Sequence, residues 1–144
     1  MLEIKQLDIL GYGSVAVDDL LYVDHYPESD SKMEVDRRER HAGGLTGTAM
    51  VTAARLGATA GMFGALGEND LSQFTRDALL QEGIDISRLI LKKGANPIYS
   101  TIVIDQRTGE RTIFYAMNGF NPIDASAIPP DLLADVRILF IDSY

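Results

Sequence analysis

Two glycine-containing segments of the chain could bring backbone amides to an anionic or hydroxyl-bearing ligand. The first, Gly11-x-Gly13-x-x-Ala16, follows a short apolar run and has an acidic residue, Asp36, about 20 positions further on. This spacing is typical of dinucleotide-binding sites, in which the glycines let the backbone approach a pyrophosphate at a helix N-terminus. The pattern requires a helix over 15–23, a segment that is ambiguous: its β-branched residues favour a strand, whereas Val17, Leu20 and Leu21 could also line one face of a helix. A plain structural turn explains the two glycines equally well.

The second segment, Ala42-Gly43-Gly44, opens a run of small residues with the pattern of a helix. The first amides of a helix have no partner within it, and glycines leave them uncovered, so they can donate to hydroxyl or anionic oxygens. The glycines could equally serve close packing or a positive φ. No Gly-Lys-Ser/Thr follows, so the segment is not a nucleotide-binding P-loop.

The composition of the chain excludes several classes of site and partner. Its 144 residues suit one domain with a hydrophobic core. There is no cysteine, which rules out disulfides and thiolate metal sites, and His25 and His41 stand at no recognised metal-ligand spacing. A net charge of −8 disfavours nucleic acid and anionic membranes as partners. We find no signal peptide and no apolar run of transmembrane length, so we expect a cytoplasmic protein.

An α/β framework is predicted around the two glycine segments. Strand patterns occupy 7–10, 15–23, 33–41, 58–66, 98–104, 111–117 and 137–142. Helix patterns occupy 46–56, a segment capped by Asn69 or Asp70 that ends before Gly83, and a short stretch that begins at Pro129. The order strand, helix, strand, helix through the middle of the chain predicts a parallel sheet with helices packed on it.

The strands at 98–104 and 111–117 form a predicted β-hairpin. The first of them is apolar on both faces, with Ile98 and Ile104 on one face and Val103 on the other. A hairpin of this kind needs cover on both sides. A bound ligand on one face and a partner subunit on the other would supply that cover. A position as an inner strand of the main sheet fits the pattern equally well.

Six short motifs follow one another along the chain, each occurring once, at characteristic spacings. They are Gly11-Tyr12-Gly13-Ser14-x-x-x-Asp18, Gly43-Gly44, Ala53-Ala54-Arg55-Leu56-Gly57-Ala58, Gly67-Glu68, Glu82-Gly83-Ile84-Asp85 and Gly109-Glu110-Arg111. Together they resemble the N-terminal half of ribokinase-like (PfkB) carbohydrate kinases, and the resemblance covers essentially the whole sequence. It implies the N-terminal portion of a ribokinase-like three-layer α/β sandwich with a protruding small β-sheet lid. The lid strands are expected at about 16–24, 33–41 and 97–118.

The resemblance also assigns roles to individual residues. In such kinases the aspartate at the position of Asp18 binds sugar hydroxyls, and a carboxylate suits this role because it accepts hydrogen bonds in fixed directions. The diglycine at Gly43 and Gly44 offers backbone N–H groups to the same sugar. The lid covers the substrate, with Ser100 and Ile102 as the expected ligand-facing residues. In many members of the family the lids pair, which implies a homodimer.

The sequence departs from the family pattern at several positions. Thr48, which we keep as a candidate substrate-binding residue, stands where the family usually has asparagine, and Ala16 stands where it often has another. The loss of two amides removes donors and acceptors from the sugar pocket. Thr46 and Met50 replace the usual small residues. The identity of the sugar is therefore undetermined. One alternative is an anionic sugar derivative whose charge pairs with Lys32; the other is that Lys32 is simply a solvated loop lysine.

The activity implied by the resemblance is ATP-dependent phosphorylation of a sugar or sugar-like hydroxyl, with ATP and Mg²⁺ as cofactors. The family's catalytic base is an aspartate in a Gly-x-Gly-Asp motif, which this sequence lacks, and its nucleotide pocket lies in the same C-terminal part. We therefore expect the chain to bind the acceptor, to contain no catalytic residue, and to be inactive alone. Two alternatives remain: a non-catalytic sugar-binding or dimerisation module, and an NAD-dependent dehydrogenase.

Overall fold

The computed structural model describes residues 6–120 and 123–143. Its strands and helices are β1 (Leu7–Tyr12), β2 (Ala16–Val23), β3 (Arg37–Gly43), α1 (Leu45–Arg55), β4 (Ala60–Leu66), α2 (Asp70–Gln81), β5 (Leu89–Leu91), β6 (Ile98–Asp105), β7 (Arg111–Ala116) and β8 (Val136–Ile141). The strands form two separate sheets of four. No helix in this part of the chain is long and apolar enough to cross a membrane.

The main sheet is parallel and has the strand order β5-β4-β1-β8. All seven residues of β4 are buried, as expected for a central parallel strand that is covered on both faces. On one face Met50 of α1, Met62 of β4 and Leu79 of α2 belong to one core cluster. On the other face Leu10 and Phe63 belong to a second cluster. The predicted α/β class is therefore confirmed.

Helix α1 lies unusually close to β1 because Gly11 has no side chain. A Cβ atom on Gly11 would lie 2.6 Å from Cγ2 of Thr46 and 2.8 Å from Cγ of Met50, which is too close for real atoms. Both of these side chains are 0% exposed. Thr46 and Met50, which depart from the family pattern, thus occupy the space left by the missing side chain of Gly11 and are compatible with the fold.

Helix α2 begins and ends as the sequence predicts. The side chain of Asn69 accepts a hydrogen bond from the amide of Ser72 at 2.9 Å, which satisfies one of the free amides of the first turn. Gly83 follows the helix with φ of 75°, a left-handed conformation that glycine adopts without strain. The chain then returns through β5 to the edge of the main sheet.

The small sheet has the order β3-β2-β6-β7 and is mixed. Strand β2 pairs antiparallel with β3 and parallel with β6, and β6 pairs antiparallel with β7. The predicted strand over 15–23 and the predicted hairpin are therefore confirmed. Strand β6 is an inner strand, but of this small sheet and not of the main sheet. The same strand β2 contradicts the dinucleotide-binding interpretation, which required a helix at that place.

One predicted strand boundary and one predicted helix are wrong. The strand predicted from Met33 begins only at Arg37, the partner of Tyr22, because β2 ends at Val23; before Arg37 the Asp36 amide still donates to the carbonyl oxygen of Tyr22 at 2.9 Å. The helix predicted from Pro129 is instead a series of turns with i to i+3 hydrogen bonds, such as that from Leu132 to Pro129 at 3.1 Å. Only six residues separate Pro129 from β8, and so short a segment does not nucleate an α-helix.

Candidate substrate-binding site

An open cleft of about 1080 Å³ lies between the small sheet and α1. Side chains alternate between the two faces of a strand, so every second residue of β2, β6 and β7 faces the same way. The cleft is lined by six of the residues discussed above, namely Ala16, Asp18, Gly43, Gly44, Thr48 and Ser100. The structure thus brings together five of the six candidate binding residues.

The sixth candidate, Ile102, lies on the same strand face but further from α1. Its neighbours across the sheet are Leu20 on β2 and Ile113 on β7. Ile113 is among the residues that line the cleft, whereas Ile102 is not. Its predicted role as a ligand-facing residue therefore stays a prediction.

Asp18 occupies the middle of a row of residues that crosses the small sheet. Its partners on the neighbouring strands are His41 on β3 and Ser100 on β6, and Ser100 is in turn the partner of Tyr115 on β7. Asp18 is half-buried, and Ser100 is only 6% exposed. Within the described part of the chain, no hydrogen bond or ion pair is found for the Asp18 carboxylate. A half-buried carboxylate that faces a cleft without a partner is ready to accept hydrogen bonds from a ligand.

Gly43 and Gly44 are required by their surroundings. A Cβ atom on Gly43 would come within 3.0 Å of Oδ2 of Asp18, so the carboxylate rests directly on the glycine backbone. Gly44 has φ of 89°, and a Cβ atom there would lie 2.5 Å from the carbonyl oxygen of Ser14. The pair therefore sets the distance between the carboxylate and the start of α1.

The first turn of α1 is capped by Ser14, which lies outside the helix. The N-cap residue is Gly44, which has no side chain that could cap the helix. Ser14 takes over this role: its Oγ accepts from the amide of Leu45 at 2.9 Å, and its carbonyl oxygen accepts from the amide of Gly47 at 3.0 Å. Two amides of the helix start are therefore already bound within the protein.

Asp142 supports the start of α1 next to the cleft, without lining it, and was missed in the sequence. Its Oδ2 accepts hydrogen bonds from the amide of Ser14 at 2.7 Å, from the hydroxyl of Ser14 at 2.6 Å and from the hydroxyl of Thr46 at 2.8 Å. Its negative charge at the start of α1 is favoured by the helix dipole. One signal could have revealed it: an acidic residue directly after a parallel strand lies at the sheet edge where ligands gather.

The outer face of the small sheet is held by a second aspartate. Asp19 accepts two hydrogen bonds from the guanidinium of Arg40, at 2.6 and 2.7 Å, and one from the hydroxyl of Tyr99 at 2.7 Å. The hydrogen bond from Arg40 lowers the pKa of the Asp19 carboxyl. The Arg40 guanidinium also lies 5.9 Å from the centre of the Phe74 ring on α2. These contacts join three strands of the small sheet to α2.

The electrostatics of the cleft are simple. Among its lining residues Asp18 is the only one with a formally charged side chain, and Lys32 is not among them. The interpretation of Lys32 as a charge partner for an anionic sugar thus finds no support in the structure. The remaining polar lining side chains are hydroxyls, including those of Thr48 and Ser100.

The family model of the pfkB family carbohydrate kinases matches residues 7–143. The chain belongs to this family. It is 25% identical to a nucleoside kinase from Methanothermobacter thermautotrophicus over 75% of its own length and 35% of that protein. It is 26% identical to ketohexokinase from Mus musculus over 76% of its length and 37% of that protein. The chain thus spans little more than a third of the curated relatives it matches.

The fold of this PfkB family chain is that of the ribokinases. A ribokinase structure from Thermotoga maritima matches 92% of the chain with a TM-score of 0.77 and 21% identity, and the match covers 44% of that ribokinase. The expected ribokinase-like sandwich is therefore confirmed, and the chain represents a portion of it.

The described residues of this PfkB chain do not fit the cofactors that the family resemblance implies. They contain no group of three or more acidic, histidine or cysteine side chains that could hold a metal ion. The cleft has a single carboxylate and no lysine or arginine to bind phosphate groups. ATP and Mg²⁺ are therefore not assigned to any residue of the described structure.

Proposed function

We propose that this chain is the acceptor-binding part of a PfkB family kinase that uses ATP to phosphorylate a hydroxyl of a sugar or sugar-like molecule. The observation that carries the proposal is the Asp18 carboxylate, which faces the cleft with no partner among the described residues and lies against Gly43. Family membership supports the reaction class. The remainder of the kinase fold, with the catalytic base and the nucleotide pocket, is supplied outside these 144 residues.

Asp18 and its neighbours hold the acceptor. The carboxylate accepts hydrogen bonds from two adjacent hydroxyls, and each such charge-assisted bond contributes roughly 1.5–3 kcal/mol. Ser100, directly opposite Asp18 on β6, donates or accepts one further hydrogen bond. The backbone of Gly43 and Gly44 and the hydroxyl of Thr48 face the same space from the other side. Together these groups fix the orientation of the ring, which is what phosphoryl transfer requires most.

The small sheet acts as the lid of the site. It stands beside the start of α1 and excludes water from one side of the bound acceptor. Its outer face is tied to α2 through Asp19, Arg40 and Phe74, which keeps the strand that carries Asp18 in place. The exposed side chain of Phe114, on the face of the lid opposite the cleft, favours pairing of two lids in a homodimer.

Steady-state kinetics of the complete gene product test the proposal. Asp18→Asn keeps the shape of the side chain but removes its charge, so KM for the acceptor should rise at least about tenfold, whereas KM for ATP should stay unchanged. The matched control is Asp77→Asn, an exposed acid on α2 outside the cleft, which should change neither constant. An equal effect of Asp18→Asn on both substrates, or no effect, would remove Asp18 from the acceptor site.

A further inference from the structure

We infer that the acceptor of this site is an uncharged nucleoside, whose pentose is held at Asp18 and whose base lies against Tyr115. The inference deepens the proposed function and rests on it, because it names the substrate class for the same cleft. It is carried by the geometry, the polarity and the charge of the cleft wall.

The wall of the cleft formed by the small sheet is longer than a single sugar ring. Asp18, Ser100 and Tyr115 are direct partners across β2, β6 and β7 and lie on the same face of the small sheet. Neighbouring strands are about 4.8 Å apart, so the Cα atoms of Asp18 and Tyr115 are separated by roughly 10 Å. A pentose placed at Asp18 and Ser100 therefore leaves a second subsite at Tyr115 for a substituent.

The polarity of the wall changes between these two subsites. Asp18 and Ser100 carry oxygen atoms, whereas Ile98, Ile113 and the ring of Tyr115 form an apolar surface next to them. Ile113 and Tyr115 are 46% and 64% exposed. A hydroxyl buried against this surface would lose its hydrogen bonds to water, at a cost of about 1–3 kcal/mol. A flat base buries apolar area there, and stacking of a base on an aromatic side chain contributes about 1–3 kcal/mol.

The charge of the cleft disfavours sugar phosphates and sugar acids. Among the described residues that line it, Asp18 carries the only formally charged side chain, which repels an anion, and none is a lysine or arginine that could compensate. Ala16 and Thr48 further reduce the number of groups that could satisfy the many hydroxyls of a hexose. A nucleoside has few hydroxyls and no charge, and it matches both halves of the wall.

The test compares kcat/KM of the complete gene product for adenosine, uridine, ribose, methyl β-riboside and fructose. The nucleosides should exceed ribose and methyl riboside about 5- to 150-fold, the factor that corresponds to a stacking contribution of about 1–3 kcal/mol. Tyr115→Ala should lower kcat/KM for the nucleosides about tenfold or more and leave ribose within about twofold. Tyr115→Phe retains the ring and should behave like the wild type. Tyr26→Ala, an exposed tyrosine outside the cleft, is the matched control.

Each outcome separates this inference from the proposed function. If ribose or fructose is phosphorylated as well as the nucleosides, or if Tyr115→Ala affects all acceptors alike, the nucleoside assignment is wrong, although an Asp18-dependent sugar kinase remains. If none of the acceptors is phosphorylated, the proposed function fails together with the inference. Preference for nucleosides that depends on the Tyr115 ring supports both.

Discussion

Gly43→Ala should weaken acceptor binding while leaving the fold intact. Gly43 has no positive φ, so alanine is compatible with its backbone, and the only close neighbour of the new Cβ is Oδ2 of Asp18. That separation is well under 3.0 Å, whereas carbon–oxygen contacts lie near 3.3–3.6 Å, so the carboxylate must move by about 1 Å. A shift of this size misdirects at least one charge-assisted hydrogen bond, which is worth roughly 1.5–3 kcal/mol. The expected loss is about 10- to 150-fold in acceptor affinity.

The assay is a pair of measurements on each variant: KM for acceptor and for ATP, and the midpoint of thermal unfolding. Gly47→Ala is the matched control, because its Cβ would lie 3.4 Å from Cγ1 of Val15, which the side chain tolerates. Alanine within helix α1 should stabilise the protein by about 0.5–1 kcal/mol. Wild-type acceptor KM in Gly43→Ala would refute the reasoning, since the carboxylate would then not depend on its contact with Gly43.

Three further predictions concern stability and activity. Thr46→Val removes a buried hydrogen bond to the Asp142 carboxylate and should lower the free energy of unfolding in urea by roughly 1.5–3 kcal/mol. Asp19→Asn should destabilise the protein near pH 7 by a margin that shrinks in acid. The hydrogen bond from Arg40 lowers the pKa of Asp19, so its contribution is present above about pH 4 and is lost as the pH falls through the folded-state pKa. The 144-residue chain alone should show no acceptor-dependent ATP hydrolysis.

Each of these has its own contradicting result. Thr52→Val is the control for Thr46→Val, because it removes a hydroxyl that donates to the carbonyl oxygen of Thr48 at an exposed position of α1. Its free energy of unfolding should stay within about 0.5 kcal/mol of the wild-type value. Equal losses in both variants would show that the contact with Asp142 has no special weight. A destabilisation by Asp19→Asn that grows in acid would reverse the assigned sign. Turnover by the 144-residue chain that disappears in Asp18→Ala would disprove its inactivity.

The sequence predicted the elements whose patterns are strong and local. The β-branched residues of 15–23 favoured a strand, although the pattern alone left a helix open, and strand β2 then decided against the dinucleotide-binding interpretation. Asn69 and Gly83 set the limits of α2 through local hydrogen bonds and backbone conformation. The start of β3 was not predictable in this way, because it depends on where its partner β2 ends and not on the residues of 33–36.

The candidate site residues also divide into those marked by a local sequence motif and those brought together only by the fold. Asp18, Gly43 and Gly44 were found because they belong to motifs of a known family. Asp142 was not found, because its hydrogen bonds reach Ser14 across 128 positions of sequence and its place directly after a strand is the only local indication of a role at the sheet edge. The alignment of Tyr115 with Ser100 and Asp18 was likewise not predictable, since it arises from the pairing of β6 with β7 and of β6 with β2.

Strand β2 shows why two adjacent aspartates have different roles. Side chains alternate along a strand, so Asp18 and Asp19 face opposite sides of the small sheet. Asp19 accepts hydrogen bonds from Arg40 and Tyr99, and Arg40 in turn contacts Phe74 of α2, so these contacts hold the small sheet against the helix. They also fix the position of Asp18, whose carboxylate has no partner among the described residues and faces the cleft. Asp19 therefore serves as a positioning residue for Asp18, and removing it should impair acceptor binding through geometry, in addition to its effect on stability.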